Sequence, residues 1–163
     1  MVLGMSLSAF TTVHVIISLI GIVSGLVVMF GLLGSNRMAG MTALFLLTTI
    51  LTSATGFLFP VEKLLPSHVI GILSLVLLAI ACIALYAMNL SGAWRWIYVV
   101  TAMISLYLNV FVLVIQSFLK IPALAAVAPG NPPSGPVFGV VQGIVLVFFI
   151  LMIIGAIRRF RPA

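Results

Sequence analysis

From Val137 to Ile157 the chain carries no charged residue, and four further stretches are nearly as apolar. About twenty apolar residues wound as an α-helix cross the roughly 30 Å hydrocarbon core of a bilayer. Inside that core every backbone N–H and C=O needs a protein partner, which leaves helix bundles and closed barrels as spanning structures. A barrel requires alternating segments of about ten residues, whereas these runs are continuous and about twice that length. The sequence therefore predicts an all-α, polytopic transmembrane bundle with five spans, at about 10–33, 41–60, 65–88, 95–119 and 137–157, forming one domain over 1–163. Composition agrees: 64% of the residues are hydrophobic and 5% charged, against about a quarter charged in soluble domains.

The breaks are "GSNRMAG", "FPVEKLLPS", "NLSGAWRW" and "KIPALAAVAPGNPPSGP", the last so dense in proline and glycine that 121–136 reads as an irregular loop. None has room for a soluble domain. Five crossings put the termini on opposite sides. Arg37, Arg95, Arg158, Arg159 and Arg161 fall on the side of the C-terminus, and Lys63 and Lys120 on the other, with Glu62 beside Lys63. The positive-inside rule then predicts a cytoplasmic C-terminus and an outer N-terminus, with Trp94, Trp96 and Tyr98 as an aromatic anchor at the inner interface. The net charge of +6 comes from these orienting residues at the ends of apolar runs, so it points to the lipid bilayer rather than to nucleic acid. The first run has neither a basic lead nor a small-residue cleavage site, so no cleaved signal is expected. Cys82 is the only cysteine and forms no internal disulfide. The sequon at Asn89 falls on the predicted cytoplasmic side.

The only histidines, His14 and His68, each open an apolar run with "HVI". Each run leads through a basic turn into a more polar helix, a weak repeat of helical hairpins 10–60 and 65–119 followed by a fifth helix 137–157. Both histidines lie about one turn inside helices that start on the outer side, so equal depth and mutual approach are expected. Small residues share their faces: Ser18, Gly21 and Gly25 with His14, and Gly71, Ala79 and Cys82 with His68. Two readings stay open. The imidazoles either hold a cofactor such as haem b between them or hydrogen-bond to neighbouring helices, with Gly21-x-x-x-Gly25 as a packing groove.

The fourth run has the most regular polar pattern: Tyr98, Thr101, Ser105, Asn109, Gln116 and Lys120, with Val112 at the one apolar step. Such a stripe must face the bundle or a partner. It serves as interhelical hydrogen bonding, as a polar path, or as a quinone head-group site near Asn109 and Gln116. The second run holds Thr42, Thr48, Thr49, Thr52, Ser53, Thr55 and Gly56. Hydroxyls that bond back to the preceding turn are tolerated in lipid without any ligand, so packing is the expected role. In the fifth run Gly139-x-x-x-Gly143 flanks Gln142 and offers a helix-packing face for dimerisation or another chain.

There is no aspartate, and Glu62 in a loop is the only glutamate. Carboxylate relays, metal-binding clusters, phosphate-cradling loops and nucleophile–base pairs are therefore not offered, and no catalytic residue is assigned.

With "HVIISLIGIVSGL", "TSATGFLFP", "PSHVIGILSL", "WRWIYVV" and "LNVFVLVIQSFLKIPAL" in place, most of the chain resembles an uncharacterised family of small polytopic bacterial inner-membrane proteins. The resemblance implies an inner-membrane location and brings no activity, cofactor or site. The family's loop after the fourth helix runs like "APTQSEPPF", while "APGNPPSGPVF" here lacks the glutamate, so no acid-based role carries over. Three functions follow. The leading one is a non-enzymatic bundle acting as an accessory subunit, alone, as a homo-oligomer or with other membrane subunits. The second is electron transfer through haem b or quinone at His14 and His68. The third is a channel or carrier for a small neutral solute.

Overall fold

The computed structural model describes residues 4–59, 66–130 and 133–161, with no strand among them. Helix α1 spans Leu7–Leu33, α2 Ala39–Gly56, α3 Pro66–Cys82, α4 Trp94–Lys120, α5 Pro122–Val127 and α6 Pro136–Arg159. A π-helical turn, Ile83–Ala87, continues α3. Five of these helices, with α3 and its π turn taken together, are long and apolar enough to cross a membrane. The chain is a multi-pass membrane protein. Glu62 and Lys63 lie outside the described residues, so the charges expected in that loop have no structural counterpart here.

Local chemistry sets the ends. Ser6 starts α1 by accepting a hydrogen bond from the Ala9 backbone N–H at 3.1 Å, satisfying one free donor of the first turn. Gly34 closes α1, its N–H reaching the carbonyls of Phe30 and Gly31. Helix α6 starts with Pro136, which has no N–H to leave unpaired, behind Gly135 at a φ of 99° that a side chain would strain. The segment 121–136 is not irregular throughout. Pro122 sits at the first turn of α5, and the alanines and leucine after it are strong helix formers.

The bundle has two unlike ends. At the arginine end, α4 begins beside the finish of α6: Arg95 Nη1 donates to the carbonyls of Ile157 at 2.8 Å and Phe160 at 2.7 Å. The Arg161 N–H reaches Ser35 Oγ in the α1–α2 turn at 2.8 Å. The half of the bundle next to this end is a largely apolar core in which Met29, Leu32, Phe45, Leu78, Met103 and Leu106 are fully buried. Tyr98 belongs to this core and is not an interfacial anchor: it is 1% exposed, its ring lies 6.0 Å from that of Phe160, and its hydroxyl meets the Thr42 side chain. Trp96, by contrast, is exposed. The other end, where α1 and α3 start, is the histidine end.

Helix α6 packs on α4 and α1 and buries only Phe149 and Ala156. Its other faces, like Val23 on α1 and Val76 on α3, present large aliphatic side chains outward. A surface of that kind suits lipid and would aggregate in water.

Candidate functional site

Polar residues from each of α1–α4 meet in the half of the bundle nearer the histidine end. Between these helices lies a cavity of about 110 Å³. Helix α1 contributes His14, α2 contributes Thr49, Thr52, Ser53 and Gly56, α3 contributes His68, Gly71 and Ser74, and α4 contributes Ser105, Asn109 and Val112. Phe45 and Leu106, both fully buried, meet beside Gly25, one turn of α1 beyond Gly21, and give the cavity an apolar floor toward the arginine end.

Each histidine is held. His14 Nδ1 lies 2.8 Å from Thr55 Oγ1, and its ring meets Phe59 edge-on at 5.1 Å. His68 is buried, with its ring 5.5 Å from that of Phe57. Phe57 in turn lies over Gly71, where a Cβ would come within 3.0 Å of the Phe57 ring. The two imidazoles thus line one cavity from α1 and α3. The cavity between them, about 110 Å³, is of the size that holds a small molecule.

The threonines of α2 divide into two kinds. Thr48, Thr52 and Thr55 each donate to the carbonyl one turn earlier, at 2.6–2.7 Å. This is the ordinary way a hydroxyl is satisfied in a membrane helix. Thr49 makes no such bond: its hydroxyl is buried without a partner. Across the cavity Asn109 accepts from Ser18 Oγ at 3.1 Å through its Oδ1, while its Nδ2 is also buried without a partner. Thr49 is 2% exposed and Asn109 9%. Both groups crowd Gly21: a Cβ there would lie 3.2 Å from Thr49 Oγ1 and 3.5 Å from Asn109 Nδ2. A buried polar group with no hydrogen bond costs about 1–3 kcal/mol. Two such groups lining one small cavity make a site that a hydrogen-bonding molecule would complete.

The stripe of α4 is not continuous. Tyr98, Thr101, Ser105 and Asn109 are buried, but Gln116 and Lys120 are exposed. Of the two residues expected at a quinone site, Asn109 lines the cavity and Gln116 does not. The glycine pairs differ as well. Gly25 is packed so closely that a Cβ would come within 2.6 Å of Leu106 Cδ1 and 2.9 Å of the Phe45 ring. Gly139 and Gly143 have no described residue beside them. Gln142 instead faces α4, donating from Nε2 to the Phe111 carbonyl at 3.2 Å.

Sequence reasoning placed Thr49 among packing threonines and missed its part in the cavity. No group of three or more metal-ligating side chains occurs among the described residues. Comparison of the chain with family models, curated proteins and solved structures gives no match.

Proposed function

We propose that this protein is a non-catalytic bundle of the bacterial inner membrane that binds a small polar solute in the outer half of the bilayer, as the recognition step of a carrier or sensor. The N-terminus is then outside and the C-terminus cytoplasmic, as the five-to-two arginine–lysine bias favours. The observation that carries the reading is the pair of partnerless groups, Thr49 Oγ1 and Asn109 Nδ2, on one cavity. The apolar floor supports binding from one side over an open pore. A solute that completes these hydrogen bonds stabilises the folded bundle by mass action. The test is a thermal-stability screen of purified protein against small neutral solutes, paired with solute uptake into vesicles containing the protein. A reproducible solute-dependent rise in the unfolding midpoint that Asn109→Leu abolishes supports the reading. The same rise in the variant overturns it.

A second reading, an accessory subunit, is favoured by the outward face of α6 at Gly139 and Gly143, which has no neighbour among the described residues. Helix association in lipid relies on such small-residue faces. Cross-linking from single cysteines placed at Gly139 and Val140 tests it: links to a second copy or another subunit support it, and lipid-only exposure removes it.

A further inference from the structure

The two partnerless groups of the cavity meet at one glycine. Gly21 lies near the middle of α1, where a Cβ would come 3.2 Å from Thr49 Oγ1 and 3.5 Å from Asn109 Nδ2. Both atoms thus border the same few ångströms, which glycine leaves without a side chain. Each is enclosed by protein and has no hydrogen bond, and both residues line the cavity. Thr48 Oγ1 is as near to that point. Its proton, however, is committed to the Leu44 carbonyl at 2.7 Å, and Thr48 takes no part in the cavity wall.

On the premise that the cavity is a binding site, these atoms state what a ligand must offer there. An amide nitrogen donates and does not accept. Asn109 keeps that nitrogen for the ligand because its Oδ1 is taken by the Ser18 hydroxyl at 3.1 Å. The Thr49 hydroxyl bonds back to no carbonyl, so its proton is also available. Two donors beside one small space call for an acceptor with two lone pairs. We propose that Gly21, Thr49 and Asn109 form a seat for a single oxygen atom, which accepts from Asn109 Nδ2 and from the Thr49 hydroxyl. Water and the hydroxyl or carbonyl oxygen of a solute share that chemistry. Only the oxygen end of a solute is read at the seat, since His14 lies about 10 Å away along α1, the rise of seven residues. Gly21 determines whether the oxygen fits, because an alanine methyl there would press on both donors. No covalent step is involved.

The experiment follows the side-chain amide protons of Asn109 by NMR in the full chain, purified in detergent, with Asn109→Leu to assign them. Magnetisation transfer from water to these protons reports a seated water, and transfer from the methyl protons of added ethanol or acetone reports a seated solute. Ethanethiol, which puts a weakly accepting sulfur in place of the oxygen, is the comparator. Ethanol and acetone should replace the water signal and bind about tenfold more tightly than ethanethiol, the weight of one hydrogen bond. Thr49→Val keeps the shape of the side chain and removes a hydroxyl that bonds nothing in the protein. It should fold as the parent does and lose about tenfold in ethanol affinity. Gly21→Ala should abolish the water and solute signals together. A water signal that ethanol and acetone leave in place keeps the oxygen seat and overturns the solute-binding reading. Solute binding that Thr49→Val and Gly21→Ala leave unchanged overturns the seat and keeps that reading. If neither signal appears and no solute raises the unfolding midpoint, both fall.

Discussion

The Ser18 hydroxyl donates to Asn109 Oδ1 across 3.1 Å, joining α1 to α4 beside the cavity. This one contact fixes which amide atom of Asn109 is spent on the fold and which is left over. Replacing Asn109 with Leu removes an interhelical hydrogen bond, which averages roughly 0.6 kcal/mol in membrane hosts. Asn109→Leu should therefore lower the thermal midpoint only slightly. Asn109→Lys places a charge in the same closed space and should abolish monodisperse protein in size-exclusion chromatography. Parent-like behaviour of the lysine variant would mean that this face of α4 is not enclosed.

The two glycine pairs should respond oppositely to alanine. Gly25→Ala forces a methyl against Leu106 and Phe45, and overpacking of this kind costs about 1–3 kcal/mol. Gly139→Ala meets open space and gains helix propensity, so it should be neutral or slightly stabilising in the isolated protein. Thermal unfolding in one detergent compares them directly. Equal loss in both would show that α6 packs through its glycines.

Arg95 supplies hydrogen bonds from a charged group to two carbonyls at the finish of α6, each worth about 1.5–3 kcal/mol. Arg95→Gln should loosen that terminus before it affects the rest. Hydrogen exchange over 155–161 should accelerate markedly while the α1–α2 hairpin stays protected. Uniform acceleration across all helices would assign Arg95 to global stability instead.

Orientation is tested by reporters that work on one side only. Fusions after Arg161 should report cytoplasm, and insertions within 129–134 should report the outer side. Finding both on one side would remove the five-crossing arrangement together with the outer placement of the cavity.

The number and order of the spanning helices were legible because each apolar run is long and is cut by residues with no place in a membrane helix. Boundaries were less so. "GFLFP" stays apolar after Gly56, so nothing in the letters ends α2 there, yet the helix stops at Gly56 and not at 60. The α4 stripe keeps its period through Gln116, but Gly56 and Val112 both line the cavity, so by Gln116 the helix has passed the end of α2 and periodicity no longer implies burial. Thr49 is the clearest limit. Thr48, Thr49, Thr52 and Thr55 are the same letter, and only a rotamer separates the hydroxyl that faces the cavity from the three that bond back to the helix. The mutual depth of His14 and His68 could be read from their spacing. The volume between them could not, because it depends on how closely Gly21 and Gly25 let α1 approach its neighbours.

The described side chains of the cavity come from α1–α4 and from Phe57 at the end of α2, and α6 packs against α4 and α1. Synthesis proceeds at about 5–20 residues per second, so the part of the chain that encloses the cavity emerges a few seconds ahead of Arg159. The helix that Arg95 fastens comes last and adds no described residue to the cavity wall. A chain that stops at Ser134 keeps every described residue that lines the cavity and lacks the helix that lies outside it.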